Sequence, residues 1–381
     1  MEQKVIMVGT DYGELDDYIQ KNGIQSMLLV CGQSFSGLKI SNYFEKLEAS
    51  RKVKVVRFDD FTPNPRYESV VKGVEVFRQN NCSAIIAVGG GSAMDVAKCI
   101  KLFANMDPGK NYLEQEIVPN DVKLLAVPTT AGTGSEATRY AVIYYQGEKQ
   151  SVTDDSCIPD VVLMDPSVLK TLPMYQRKAT MLDAFCHAVE SFWSVNSTEV
   201  SKAYSKEAIG LILDNKDAYL ANQDRGNVKM LQAANIAGKA INITQTTAGH
   251  AMCYKLTSLY GIAHGHAAAL CVSELWDYML AHTEECMDPR GAEYVAAMFQ
   301  DLAEVMRCRT AEEAAVKFRE ILVSLDLMIP IGKETDYEIL RTSVNPVRLK
   351  NNPIRLDEKT IDGIYHKILL ADRCGRPGGK S

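Results

Sequence analysis

The first 165 or so residues alternate short apolar runs with longer amphipathic stretches, and this alternation limits the fold more than any other feature of the chain. Apolar runs at 4–8, 26–31, 53–58, 84–88, 123–127, 140–145 and 161–164 predict strands. Helical stretches fall between several of them, at 37–49, 66–80 and 92–104. Successive parallel strands need long crossovers, so this order predicts an α/β domain with a largely parallel sheet. From about residue 167 strand signals become rare, and 176–194, 199–221, 227–247, 292–306 and 310–325 predict helices. The expected organisation is an α/β domain over 1–166 and an all-α domain over 167–381, with the boundary near Asp165-Pro166. A chain of 381 residues suffices for two such domains.

Composition narrows the partners. Apolar residues are 46 % and charged residues 24 %, ordinary values for a chain with a core and a wetted surface. A net charge of −6 argues against nucleic acid or an anionic membrane as the main partner. No apolar run approaches transmembrane length, and the N-terminus lacks the apolar core of a signal peptide. Ten scattered cysteines without a C-x-x-C read as reduced thiols, which points to the cytoplasm. The tail 376–381 reads as frayed.

Two glycine-rich segments follow predicted strands. The run 84–88 leads into Gly89-Gly90-Gly91-Ser92-Ala93-Met94-Asp95. Ser92 is expected to cap the following helix, with Asp95 three residues on as a variant capping box. A strand, a glycine turn and a helix N-terminus form an anion site, because free N–H groups and the helix dipole face the ligand. A plain tight turn would also use glycines, and the segment is neither G-x-G-x-x-G nor a Walker A loop. The second segment is Pro128-Thr129-Thr130-Ala131-Gly132-Thr133-Gly134-Ser135-Glu136. Its four hydroxyls and unhindered N–H groups suit phosphate and ribose oxygens. Ligands of α/β sheets gather at strand carboxyl ends, so two such segments favour a dinucleotide site over ordinary loops.

Four of the six histidines lie between Thr180 and His266. Asp183 and His187 are four apart in a helical stretch, hence on one face. His250 and His264 are fourteen apart, which is about 21 Å on one straight helix. They can share an ion only if the chain turns between them, and Gly261 is a place for it to do so. One carboxylate and three imidazoles suit a divalent metal such as Fe²⁺ or Zn²⁺. Each histidine taken alone is more often a core or surface residue than a ligand.

These motifs, in this order, resemble the iron-containing (group III) alcohol dehydrogenases: Gly-Gly-Gly-Ser-x-x-Asp at 89–95, the nonapeptide at 128–136, Pro159 with Asp165-Pro166, Asp-x-x-x-His at 183–187, and His250 with His264. The resemblance covers about Asn64-Pro65 to Asn352-Pro353. It implies a Rossmann-like NAD(P)-binding domain followed by a helical, metal-binding catalytic domain, the dehydroquinate synthase-like architecture. It implies Asp183, His187, His250 and His264 as ligands of Fe²⁺ or Zn²⁺. It implies cofactor contacts from Gly89, Gly90, Gly91, Ser92, Asp95, Thr129, Thr130, Thr133, Ser135 and Lys149. A homodimer is common among such proteins.

Two departures bear on function. Many members carry a further histidine four residues after the third ligand, implicated in catalysis or proton movement. Tyr254 stands there, so Tyr254 and His266 become the candidate catalytic residues, His266 as a proton relay or as packing beside the ligand two residues away. NAD-preferring members often place an Asp after the second strand. Here Gly32-Gln33-Ser34 follows it, which removes a barrier to the 2′-phosphate and permits NADPH.

The segments 250–267 and 343–353 look like the phosphonoacetaldehyde reductase branch, which makes 2-hydroxyethylphosphonate. Lys255, between two ligand histidines, supports an anionic substrate, as do Arg139, Arg348, Lys350 and Arg355. Solvated surface charge is the usual state of such residues. The expected function is metal-dependent reduction of an aldehyde to a primary alcohol, most specifically phosphonoacetaldehyde. The alternatives are a general short-chain alcohol dehydrogenase, a dehydroquinate synthase-like lyase that recycles its cofactor, and a non-catalytic metal-binding protein.

Overall fold

The computed structural model describes residues 3–50 and 52–370. The tail read as frayed, and Cys374, lie outside the described residues. The strands are β1 (Lys4–Met7), β2 (Ser26–Cys31), β3 (Lys54–Phe58), β4 (Ala84–Gly89), β5 (Lys123–Pro128), β6 (Tyr140–Tyr145), β7 (Glu148–Thr153) and β8 (Val161–Met164). Among them run helices α1 (Gly13–Lys21), α2 (Lys39–Ala49), α3 (Tyr67–Gln79) and α4 (Gly91–Phe103). Then come α5 (Met174–Trp193), α6 (Glu199–Leu220), α7 (Asp224–Thr244), α8 (Ala248–Tyr260) and α9 (His264–Ala281). The last are α10 (Ala292–Val305), α11 (Ala311–Ser324), α12 (Glu334–Thr342), α13 (Pro346–Leu349) and α14 (Glu358–Leu370).

Six strands form a parallel sheet in the order β1-β8-β5-β4-β2-β3. The inner strands β2, β4, β5 and β8 are buried almost throughout, because helices cover both faces of a parallel sheet. The edge strands β1 and β3 expose Lys4 and Lys54, charges that discourage edge-to-edge pairing. From β2 the chain moves outward to β3. From β4 it moves the other way, to β5. The carboxyl ends of β2 and β4 therefore flank the point where strand order reverses, the preferred ligand position in open α/β sheets. Gly32-Gln33-Ser34 and Gly89-Gly90-Gly91 sit at those two ends.

The hairpin β6–β7 is antiparallel and separate from the main sheet. Its two-residue turn has φ of 53° at Gln146 and 84° at Gly147, both in the left-handed region that such a turn requires. The polar sequence of β7 does not announce a strand; pairing with β6 makes it one.

The chain divides into two compact units. One ends at Leu172 and also takes in Asp217–Gly238; the other is Pro173–Lys216 with the described residues from Lys239 onward. A single cut after residue 166 leaves Asp217–Gly238 with the helical part, whereas this segment belongs with the sheet. Gly134 and Gly238 make its attachment concrete. Gly134 has φ 59°, and a Cβ on it would stand 2.6 Å from the Gly238 Cα. A Cβ on Gly238 would stand 2.5 Å from the Gly134 carbonyl oxygen. Neither position has room for a side chain.

In the second unit α5 is buried from Met181 to Trp193, and α9 packs against both α5 and α8. Trp193 meets Trp276 edge-on at 5.1 Å, and Phe299 and Phe318 extend this aromatic core. Among the described residues no helix is long and apolar enough to cross a membrane.

Candidate metal centre and cofactor turns

Asp183 and His187 lie one turn apart on the buried face of α5, with His187 Nε2 4.0 Å from Asp183 Oδ1. His250, in the first turn of α8, puts Nε2 3.4 Å from the same oxygen. The His187 and His250 rings stack at 4.5 Å and 15°. Donor atoms of Asp183, His187 and His250 all lie within 4.8 Å of one another, and all three residues are buried. An oxygen and two nitrogens so placed fit a divalent first-row ion.

His264 stands beside this trio. Its ring centroid is 5.3 Å from that of His250, and its Nδ1 is 3.4 Å from Cys253 Sγ. It begins α9, as the chain turns back at Gly261 with φ 67°. The turn read from the sequence is there. His264 is half-buried, so the set is open on the α9 side.

Two glycines let the helices approach closely enough. A Cβ on Gly265 would lie 2.1 Å from the Ala179 carbonyl oxygen and 2.5 Å from Asp183 Cβ. A Cβ on Gly249 would lie 2.5 Å from Val272 Cγ2 and 3.0 Å from Glu190 Oε1. Gly249-His250 and His264-Gly265 thus pair each imidazole with the residue that admits a neighbouring helix.

Glu190, which the sequence reading passes over, supports the centre. Its carboxylate meets His250 Nδ1 and accepts from the Thr247 hydroxyl at 2.6 Å. It also accepts from the Thr247 and His250 backbone N–H groups, at 3.2 and 3.3 Å. One buried carboxylate therefore caps α8 and fixes the orientation of His250. The Trp193 indole donates to the Thr247 hydroxyl at 2.9 Å and locks that residue. Asp183, His187 and Glu190 recur at i, i+4 and i+7, a spacing that could have identified Glu190.

Burial works to raise the Asp183 carboxyl, but the imidazoles of His187, His250 and His264 outweigh it and hold it below the usual carboxylate range. Burial likewise opposes ionisation of Glu190, and His250 with the hydrogen bonds overcomes it. Burial alone would lower His250; the carboxylates on either side of the ring raise it to about 9. Glu190→Gln keeps the shape and removes the charge. We expect metal affinity to fall about 10- to 100-fold, measured by competition with a chelator.

Next to the centre, Tyr254 stacks on His264 at 5.3 Å and 27°. Burial raises its phenol well above the ordinary value, so it stays protonated. His266 is buried, and burial lowers its imidazole to about 4. Its Nδ1 lies 3.3 Å from the hydroxyl of exposed Tyr175, which itself accepts from Ala263 N–H at 2.8 Å.

In the first unit the two glycine-rich turns meet. Thr129 N–H donates to Gly89 O at 3.0 Å, and the Thr133 hydroxyl accepts from Ser135 N–H at 3.3 Å. A Cβ on Gly89 would collide with Ala93 Cβ at 2.5 Å; one on Gly90 or Gly91 would lean on Thr130 or Thr133. The capping expectation is corrected. Gly90 is the N-cap of α4, Ser92 lies inside the helix, and no side chain caps it. Asp95 instead accepts from the Ser135 hydroxyl at 3.1 Å, joining the turns. Burial raises the Asp95 carboxyl to about 6, against Lys98, Ser135, the Val142 N–H and Lys149; its partly open surface tempers that rise.

Lys98, also outside the sequence reading, is fully buried. Its ammonium donates to Ser135 Oγ at 3.1 Å, Thr138 O at 2.7 Å, Thr138 Oγ1 at 3.1 Å and Tyr140 O at 2.8 Å. It holds the second turn from beneath. Its signal was a lone cation within Val96-Ala97-Lys98-Cys99-Ile100.

The candidate anion residues scatter. Arg139 pairs with Asp155 at 3.1 Å and Arg355 with Glu285 at 3.9 Å. Lys350 is exposed and Lys255 half-buried. Arg348 alone is recorded against the ring of Tyr254, 5.5 Å from its centroid.

Comparison with known proteins agrees with this architecture. Residues 3–166 match the family model for iron-containing alcohol dehydrogenase, and 178–369 match the C-terminal model of the same family. The chain is 30 % identical to phosphonoacetaldehyde reductase of Streptomyces viridochromogenes over 324 residues, 81 % of this chain and 82 % of that one. It is 28 % identical to NAD-dependent methanol dehydrogenase of Bacillus methanolicus over 357 residues, covering 89 % and 91 %. The crystal structure of an iron-containing alcohol dehydrogenase from Thermotoga maritima superposes with a TM-score of 0.80 at 26 % identity, covering 97 % and 98 %. With a dinucleotide-type sheet, a buried Asp–His–His cluster and both family models matched, the chain belongs to the iron-containing alcohol dehydrogenases and is an oxidoreductase.

Proposed function

We propose that this oxidoreductase reduces phosphonoacetaldehyde to 2-hydroxyethylphosphonate with NAD(P)H, as a step of phosphonate biosynthesis. The reaction takes an aldehyde, NAD(P)H and a proton to a primary alcohol and NAD(P)⁺. The observation that carries the reading is the buried Asp183, His187 and His250 cluster backed by Glu190, with His264 on its open side. When bound, Fe²⁺ or Zn²⁺ supplies Lewis acidity at a carbonyl oxygen, and reduced nicotinamide supplies the hydride.

The chain's own residues do the rest. Asp183 and the three imidazoles would hold the ion, and Glu190 holds His250 in place. Buried α5 and α8 keep water from the inner side. For the proton, Tyr175 and His266 form a pair from the surface inward. The Tyr175 oxygen accepts from Ala263, so its own proton faces His266 Nδ1. Burial keeps the His266 imidazole neutral, so it accepts that hydrogen bond and orients the Tyr175 hydroxyl. Tyr254 keeps its proton and serves as a wall against His264.

The cofactor reading rests on the N-terminus of α4, with Gly90, Gly91 and Ser92 toward the pyrophosphate and Thr129 and Thr130 on the other turn. NADPH is permitted, because no acid follows β2. The substrate reading draws on the likeness to phosphonoacetaldehyde reductase. We also propose a homodimer in the cytoplasm; the nine described cysteines are free thiols.

The test is NADPH and NADH oxidation by Fe²⁺-loaded protein, with phosphonoacetaldehyde against uncharged aldehydes of equal length. We expect kcat/KM for the phosphonate to be at least about 100-fold higher, the discrimination open to a site built around a polar group. Equal rates would make it a general alcohol dehydrogenase. Turnover without net cofactor oxidation would make it a lyase, and intact binding without turnover a non-catalytic protein.

A further inference from the structure

We propose that Arg348 is the specificity residue of this site and binds the oxyanion head group of a short aldehyde whose carbonyl end lies at the metal centre. The inference rests on the reductase reading above and adds which residue reads the substrate.

Its basis is an unbalanced charge. Arg348 is half-buried on the short helix α13. Among the described residues its side-chain partners are neutral: NH1 donates to the Thr246 hydroxyl at 3.2 Å, and the guanidinium faces Tyr254. No carboxylate of the described residues pairs with it, whereas Arg139 and Arg355 each have one. A guanidinium withdrawn from water with one hydrogen bond leaves most of its five donors free for an anion.

Position gives that charge its meaning. Tyr254 stacks on His264, and His264 stands beside His250, so successive side-chain contacts lead from Arg348 to His250. The tyrosine ring separates the cation from the metal ligands by one side chain. A two- or three-carbon molecule laid along this ring would put one end at the ligands and the other at the guanidinium.

The cation is also held firmly. Asn345 caps α13 by accepting from Val347 N–H at 2.9 Å. Asn351 donates to the Thr246 carbonyl and the Gln245 side chain, both at 3.2 Å. Thr246 precedes Thr247, whose hydroxyl bonds Glu190. The support of Arg348 therefore runs into the support of His250. Such preorganisation favours a bidentate contact with a phosphonate, sulfonate or carboxylate.

The experiment is calorimetric titration of metal-loaded protein with ethylphosphonate, ethanesulfonate and propionate, none of which can react. Wild type, Arg348→Met and Arg348→Lys are compared, with metal content measured in each. We expect wild type to bind at least one probe, and the tightest identifies the head group. Arg348→Met should weaken that binding about 10- to 100-fold, and Arg348→Lys less, because the charge stays while the fork is lost. The kcat/KM ratio of the matching aldehyde over propanal should fall by a similar factor. Unchanged probe binding in Arg348→Met with full metal content, or no probe bound by wild type, would overturn the proposal. Failure of wild type to reduce any aldehyde would instead overturn the reductase reading, and the titration would still report on Arg348.

Discussion

Asp183→Ala protein is expected to carry almost no Fe²⁺ or Zn²⁺ and to lose roughly a thousandfold or more in turnover, while still binding NAD(P)H. Asp183 is the one carboxylate in the cluster, and its Oδ1 faces both His187 and His250. Without it, two stacked imidazoles and His264 remain, a set with no negative charge facing the ion. Lewis-acid catalysis is worth several kcal/mol, and each 1.36 kcal/mol is tenfold in rate, which sets the size of the loss. Metal analysis, cofactor fluorescence and steady-state rates read the three effects separately. Normal activity at normal metal content would remove Asp183 from the centre. Activity lost together with cofactor binding would point to a general collapse.

Gly265→Ala, a change of one methyl group, is expected to lower stability by about 3 kcal/mol and to reduce metal occupancy with it. The added carbon would stand 2.1 Å from the Ala179 carbonyl oxygen and 2.5 Å from Asp183 Cβ. The first of these is backbone within α5, so no rotamer change relieves the contact. The start of α9 must move off α5 and carry His264 away from the cluster. Thermal unfolding of metal-free protein separates this variant from Asp183→Ala, which leaves the helix contact intact. Wild-type melting and metal content in Gly265→Ala would show that the two helices are not held so closely.

Much of this molecule could be read before its structure. The strands of the parallel sheet are apolar runs buried on both faces, so composition alone marks them. The glycine-rich turns stand out because few other sequences tolerate such close backbone approach. Asp183 and His187 share one helical face, a purely local relation, and the turn at Gly261 has its own residue signature. By contrast β7, α1 and the short helices near the C-terminus are polar or brief, and partners elsewhere define them. Ser92 has the residue type of a cap but stands two positions past Gly90, the N-cap, and a shift of that size exchanges the N-cap for the helix interior.

The sequence by itself determined the class of fold, the two glycine turns and the residue types able to hold a metal, because each depends on neighbours within a few positions. Only the tertiary structure decided that Glu190 backs His250, that Lys98 lies beneath the second turn, and that Asp217–Gly238 joins the sheet unit. It also placed Arg348 against the Tyr254 ring. These relations join residues dozens to about a hundred positions apart. Whether a charge is solvated, paired or left facing a site depends on which helices pack around it, and helix packing is a property of the whole chain.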